Sequence, residues 1–410
     1  MAISVLDAAR RRKRGDTVKI RLSAGLLVLV VTLAVAAAGF GRTTAIVKLG
    51  GLCDLSGPTS DVGVSYCKGE LDYITYFNRK GGFSNKAKAN ISLPDFAYNV
   101  AKAQQLYAQI TSGNPVAFMG WGTADTTALG PQITRDKLPF MSASLAEQLT
   151  NPNDTPYNFV AGTNYTAQAQ IAAKYIDRTT SGHKEIAFFH SNSAFGTAPI
   201  AGLRDYIKAK NLDFDVTAYP MITGTTAFDA QLLQAKSRGT DYIFIQNVPT
   251  PASILAKDVK RLGLTSRIVC LNYCASEIFL RLAGDAANGM MAIQPFTPVT
   301  FNVPGNKAPA AFLKARGSSL AEQNIFYLQG WYTMAVMLQG IDTLIKGKKA
   351  ITGPNLKVAL ETMPEFLSGG VGFPIKFRAS GSRAHDGMKG SRVYSVKSGR
   401  FTKLTGFVAP

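Results

Sequence analysis

Beyond residue 45 the chain alternates short apolar runs, rich in β-branched and aromatic residues, with longer segments of helical period. The runs predict strands at Ile46 to Leu52, Asn90 to Phe96, Val116 to Gly120, Glu185 to His190, Phe214 to Met221, Tyr242 to Gln246, Ile268 to Leu271 and Met290 to Gln294. Between them, helices are predicted over 65–79, 97–112, 126–136, 166–179, 198–211, 228–238 and 252–262. The first shows the logic: Tyr66, Glu70, Tyr73 and Phe77 recur every three or four residues and share one face, and Gly81-Gly82 ends the segment. That aromatic stripe is expected in the core. Strands alternating with helices imply α/β architecture, with parallel sheets covered by helices on both faces.

The order then appears twice. A strand, a polar loop, a helix containing Leu71-Asp72-Tyr73-Ile74 and a further strand follow Ile46; the same succession, with Asp205-Tyr206-Ile207 in its helix, follows Glu185. VAFMG-WGTAD-TTALGPQI is echoed by YIFIQ-NVPTP-ASILAKDV. The spacing is that of a small domain, not of a solenoid repeat, so two similar doubly wound lobes are predicted. Two later helices, Asn324 to Ile345 and Pro354 to Met363, and a strand-like tail from Arg392 to Leu404 are too little for a third domain and are expected to complete the lobes.

At 410 residues with 46% hydrophobic and 17% charged content, the chain has material for real cores, and disorder is excluded. Of its 45 basic and 26 acidic residues, seven and two fall in the first 38; without them the formal charge drops from +19 to +14. The basic run Arg10 to Arg14, the uncharged stretch Leu22 to Phe40 and the small residues Ala36-Ala37-Ala38 read as a secretory signal over 1–38, placing the rest outside the cytoplasm. At 19 residues the stretch Leu22 to Phe40 is also just long enough to remain as a membrane anchor. An oxidising compartment allows cysteines to pair. Cys53 and Cys67 are a candidate disulfide across the turn from first strand to first helix; Cys270 and Cys274, four apart, could bond only with special local geometry. C-x-x-x-C without a nearby His is not a zinc spacing, and no metal is expected.

In open parallel sheets, ligands bind beyond the carboxyl ends of strands, where loops enter helix amino termini. The loops at those positions are Leu52 to Gly63, Gly120 to Thr127, Ser142 to Glu147, His190 to Thr197, Gln246 to Pro251 and Leu271 to Glu277, rich in Ser, Thr, Asn, Gly and aromatics. Each alone reads as a helix cap. Together they favour a site whose hydroxyls and N–H groups suit a carboxylate and whose aromatics suit an apolar body.

The opening IVKLGGLCDLSGPTSDVGVSYCKGELDYITYFNRKGG, with S-G-P, a glycine and a helix ending N-x-K-G-G, resembles the leucine/isoleucine/valine-binding family of type I periplasmic binding proteins. LPFMSASLAEQLT, EIAFFHSNSAFGTAPIAGLRDYIKA, FDAQLLQAKSRGTDYIFIQ and LAGDAANGMMAIQPF are similar to the same family in the same order, over roughly 46–400. The resemblance implies two lobes joined by three hinge crossings: 46–163 with about 296–376, and 164–295 with about 377–410. It further implies capture of a small solute, a branched-chain or related amino acid first among them, and delivery to an ABC permease in the inner membrane by a monomer that needs no cofactor. The same resemblance points to Thr123, Ala124 and Asp125, and to Ser142 and Ser144, as partners of a ligand carboxylate. Phe195 stands where the family commonly has Tyr and can only pack. Asn247, in the loop Gln246 to Pro251, is a further candidate contact. The acid that amino-acid binders place after a second-lobe strand is replaced here by Asn272-Tyr273, with Glu277 a turn later, so an ammonium would need Asp125 or Asp61. Amides, urea-like solutes and other small polar metabolites stay open.

Enzymatic readings lack their motifs. Gly120-Trp121-Gly122 has no third glycine and no acid about 20 residues on after a second strand, as a dinucleotide site requires. No G-x-S-x-G occurs; of the three histidines His190 falls in a cleft loop, and His183 and His385 read as surface positions. The basic residues form no stripe for nucleic acid. A membrane-anchored ligand-sensing receptor on the same fold is the remaining alternative, with any signalling left to a partner.

Overall fold

The computed structural model describes residues 45–410; the candidate signal segment, 1–38, lies outside the described residues. No described helix is long and apolar enough to cross a membrane.

The first part of the chain builds β1 (Ala45–Gly51), α1 (Ser60–Arg79), β2 (Ala87–Ser92), α2 (Val100–Thr111), β3 (Phe118–Gly120), α3 (Thr123–Asp136), β4 (Phe140–Ser142) and β5 (Asn158–Phe159). Its five strands pair in the order β2-β1-β3-β4-β5, all parallel. The chain then crosses into a second unit: α4 (Tyr165–Thr179), β6 (Lys184–Ser191), the single turn α5 (Ala194–Thr197), α6 (Ile200–Ala209), β7 (Phe214–Met221), α7 (Asp229–Ser237), β8 (Tyr242–Gln246), α8 (Pro249–Arg261), β9 (Arg267–Cys270), α9 (Glu277–Ala283) and β10 (Met291–Gln294). It returns with α10 (Lys307–Lys314), α11 (Ile325–Lys346) and α12 (Gly353–Thr362), and crosses a third time to β11 (Arg392–Lys397) and β12 (Arg400–Lys403). The second sheet runs β12-β11-β10-β9-β8-β6-β7, parallel except for the final hairpin on its edge. This is the two-lobed, three-crossing α/β fold.

The apolar patterns explain the layers. β8, Tyr-Ile-Phe-Ile-Gln, is buried along its whole length because helices cover both sheet faces. On α1, Tyr66 and Glu70 are buried and Tyr73 and Phe77 pack in the same core; the Tyr73 ring meets Trp331 of α11 at 5.3 Å, and Phe77 meets Phe83 at 4.8 Å. α1 and α11 lie backbone to backbone at Gly69 and Gly330.

α1 starts at Ser60, five residues before the predicted helix, because Asp54 organises the entry. Its carboxylate accepts the N–H of Gly57 (2.6 Å) and both the N–H (2.8 Å) and hydroxyl (2.6 Å) of Thr59. A Cβ on Gly63 would fall 1.8 Å from the Asp54 carbonyl oxygen, so glycine is required there. Cys53 and Cys67 are bonded, their Cα atoms 6.3 Å apart, tying β1 to α1; a loop of this length contributes about 3 kcal/mol. Cys270 and Cys274 are bonded too, with Cα atoms 5.2 Å apart, because the chain turns tightly through Leu271, whose carbonyl accepts the N–H groups of Cys274 and Ala275.

Candidate functional site

A narrow cavity of about 30 Å³ lies between the lobes, well below the range of about 300–1,000 Å³ usual for small-molecule sites. The first lobe contributes Thr59 and Val62 at the start of α1, Tyr98 before α2, Trp121, Gly122 and Thr123 at the β3–α3 junction, and Ala143 and Ser144 after β4. The second lobe contributes Tyr165 at the first crossing, Phe195, Val248 and Tyr273.

Local bonds fix the walls. The indole N–H of Trp121 donates to the Thr59 hydroxyl at 2.9 Å, and the ring stands edge-on to Tyr66 at 5.5 Å. Tyr98 follows Ala97 in a left-handed pair, φ 55° and 52°, held by Asp95, whose carboxylate accepts the N–H groups of Leu55 and Ala97 at 2.9 Å each. Across the cleft Phe195 packs edge-on to Tyr165 (5.3 Å) and Tyr273 (5.9 Å). The Tyr273 hydroxyl donates to the Ala143 carbonyl, joining the two lobes beside the cavity.

Two kinds of chemistry meet here. The aromatic walls suit an apolar body. Opposite them the hydroxyls of Thr123 and Ser144, 2.6 Å apart, stand at the amino end of α3, and among the described residues no acceptor faces the N–H groups of Thr123 and Ala124. Such an end favours negative charge. None of the lining residues is an acid or a base.

Of the residues singled out from the sequence, Thr123, Ser144, Phe195 and Tyr273 line the cavity together. The other six do not. Asp125 sits inside the first turn of α3, where its Oδ2 accepts the Gly122 N–H at 3.0 Å; burial pushes its carboxyl up to about 7 against the pull of these backbone donors. Ala124 is half-buried beside it. The Ser142 hydroxyl points to the Ser144 carbonyl at 3.4 Å. Asn247 accepts the Val248 N–H on its own Oδ1 at 2.9 Å. Asn272 belongs to a buried amide network at the cleft floor: its N–H donates to Gln168 (2.9 Å), its Oδ1 accepts from Gln329 (2.7 Å), and its carbonyl accepts from Gln294 (2.7 Å). Asp61 accepts the N–H of Thr250 across the cleft at 2.9 Å. Glu277 spends both oxygens on the N–H groups of Val299 and Ile325, each at 2.9 Å.

Lining residues that were not singled out divide by signal. Thr59, Val62, Trp121 and Val248 fall in loops already marked by their position after strands; Tyr98 and Tyr165 had none, since only the left-handed turn and the first crossing bring them in. His385, read as a surface position, is fully buried. Its ring stacks 4.0 Å from Phe159, and its nitrogens reach the Asn158 carbonyl (2.8 Å) and Glu361 (3.0 Å). Hydrophilic flanks in sequence gave no sign of this core slot.

Behind the Trp121 wall, Glu70 is 2% exposed and its Oε1 has no hydrogen-bond partner. It lies beside the Cys53–Cys67 sulfurs, which are bonded to each other and so offer no thiolate to a metal. Burial pushes its carboxyl well above the ordinary value of 4.5. The folded state therefore holds a proton that the unfolded chain gives up above that value, so stability from this group is full below about pH 4.5 and is lost as pH rises toward the folded value. Glu70→Gln removes the penalty. The variant is expected to be more stable than the parent at pH 8, with the gap closing near pH 4.5, in paired urea titrations at the two pH values. A gap independent of pH would refute the assignment.

The sequence model of the family described as periplasmic binding protein matches residues 46–400. The leucine-, isoleucine-, valine-, threonine- and alanine-binding protein of Pseudomonas aeruginosa is 21% identical over 307 residues, 74% of this chain and 80% of its own length. A branched-chain amino acid ABC transporter protein of Thermus thermophilus, solved with bound valine, is 25% identical and superposes with a TM-score of 0.81 over 89% of this chain and 96% of its own. A solute-binding protein of R. palustris in complex with benzoate is 18% identical, with a TM-score of 0.75 over 89% of this chain and 97% of its own. With its two parallel-sheet lobes and matched length, the chain belongs to the periplasmic binding protein family, among the type I solute-binding proteins of ABC transporters.

Proposed function

We propose that this ABC-transporter solute-binding protein captures a small monocarboxylate with an apolar body, and that it works as an exported monomer handing its ligand to a permease. One observation carries the ligand class: the cavity pairs anion-favouring donors with aromatic walls and offers no acid to an ammonium. Thr123, Ser144 and the first N–H groups of α3 receive the carboxylate. Val62, Trp121, Phe195 and Val248 enclose the body. Of the two acids that could have served an ammonium, Asp125 holds the Gly122 N–H inside its own helix and Asp61 lies outside the cavity lining with Oδ2 on the Thr250 N–H, and the Ala143 carbonyl already receives the Tyr273 hydroxyl.

The mechanism is hinge closure. Both lobes line the cavity, so a ligand gains its full contacts only when they are shut, and that differential affinity shifts the open and closed populations. A 1 μM complex corresponds to about 8 kcal/mol, ample to bias a hinge. The ligand is released unaltered.

A branched-chain amino acid is the second reading, favoured by the bound valine of the Thermus protein and by the name of the Pseudomonas relative. Matched ligands separate the two: 4-methylpentanoate and L-leucine differ only in the α-ammonium. In calorimetric titrations 4-methylpentanoate or benzoate is expected to bind at least about 10-fold more tightly than L-leucine, a difference of about 1.4 kcal/mol. Tighter L-leucine binding would select the second reading. No binding by any of these, with no thermal shift from short amides or urea, would overturn the proposed function.

A further inference from the structure

α8 begins Pro249-Thr250-Pro251. Two of its first three residues are prolines without an N–H, so Thr250 carries the only N–H among them. The lobe to which α8 belongs does not cap it: the residue before the helix is Val248, and no side-chain cap bond is formed there. The acceptor comes from the other lobe. Asp61, in the first turn of α1, places Oδ2 2.9 Å from the Thr250 nitrogen, while its Oδ1 is buried without a partner. Asp61 does not line the cavity. A helix cap whose two halves sit on different lobes can form only when those lobes meet.

We infer that Asp61 is a latch: by capping α8 across the cleft it holds the lobes shut and raises affinity without touching the ligand. The inference rests on hinge closure as the mode of capture. Any contact present only in the closed form enlarges the closed population, and the apparent dissociation constant falls in proportion to the fraction of binding-competent protein. A side-chain cap reinforced by a carboxylate at a helix amino end sets the size of the effect at about 3- to 10-fold in the dissociation constant. The bond at 2.9 Å comes from the Thr250 backbone N–H, which Thr250→Ala keeps, while the Thr250 hydroxyl adds a weaker hydrogen bond that it removes, so this variant should lose less than Asp61→Ala. Asp61→Asn keeps the shape and an acceptor oxygen but loses the charge, and falls between the parent and Asp61→Ala.

The decisive measurement needs no ligand. Small-angle X-ray scattering of the ligand-free full chain is expected to give a larger radius of gyration for Asp61→Ala than for the parent, an intermediate one for Asp61→Asn and one nearest the parent's for Thr250→Ala. Circular dichroism establishes that each variant is folded. Titration with 4-methylpentanoate, benzoate and L-leucine is then expected to show the same 3- to 10-fold loss for every one of these that binds, since the latch ignores ligand chemistry. Identical scattering from folded parent and Asp61→Ala, or a loss confined to one ligand, would overturn the latch. Opening of the variant with no binding of any compound would support the latch and count against the proposed ligand class, so the two readings fail separately.

Discussion

Removing both hydroxyls at the mouth of α3, Thr123→Val together with Ser144→Ala, is expected to weaken binding of 4-methylpentanoate or benzoate by about 100-fold or more. A hydrogen bond to a charged group contributes about 1.5–3 kcal/mol, and two of them exceed the 2.7 kcal/mol that a hundredfold represents. The pair must be changed together. The two oxygens are 2.6 Å apart and satisfy each other in the free protein, so removing one would leave its partner unpaired and mix a folding cost with a binding cost. With both gone, the Ala146 N–H, which reaches the Ser144 hydroxyl at 3.3 Å, loses an acceptor, and stability is expected to fall by only about 1 kcal/mol. Thr123→Ser, which keeps the oxygen, should stay within a few-fold of the parent. Isothermal titration of the three proteins checks this; an unchanged dissociation constant in the double variant would remove the carboxylate from this wall and with it the proposed ligand class.

The same wall shows what a sequence discloses. Thr123 and Ser144 were legible because their chemistry and their position after a strand coincide: a hydroxyl at the carboxyl end of a parallel strand is either a cap or a ligand contact. The strands Phe214–Met221 and Tyr242–Gln246 have the bounds their apolar runs predicted. β4 and β5, with three and two residues, offer no alternation to read. For the acids, local chemistry and tertiary placement part company. Asp61 and Asp125 have the right charge for an ammonium and stand in the right loops, but each faces a backbone donor left over at a helix start, one across the cleft and one within its own helix. Which donors are left over depends on tertiary placement, and that is not written locally. Tyr98 and Tyr165 are the converse: unmarked in sequence, brought into the cavity by a left-handed turn and by the first crossing between lobes.

The distance between α1 and α11 ties the cavity to the core of the first lobe, and Gly330→Ala tests it. A Cβ at Gly330 would lie 1.9 Å from the carbonyl oxygen of Tyr66, and one at Gly69 would lie 2.1 Å from that of Tyr327. Both clashes are with backbone, so no side chain can turn aside; the helices must separate or slide. In an exposed helix the same change would gain about 1 kcal/mol. Here overpacking that shifts backbone costs about 1–3 kcal/mol and occasionally more, so after that gain a net loss of up to about 2 kcal/mol is expected from urea unfolding. The displacement would reach the ligand. The Tyr66 hydroxyl donates to Thr333 of α11 at 3.0 Å, its ring supports Trp121, and Thr59 and Val62 enter the cavity from the start of the same helix. Folded Gly330→Ala protein is therefore expected to bind 4-methylpentanoate, benzoate and L-leucine more weakly as well, though no atom of Gly330 lines the cavity. Alanine tolerated with parental stability would mean that the helices do not meet where their glycines face each other, and the wall built on α1 would have to be placed anew.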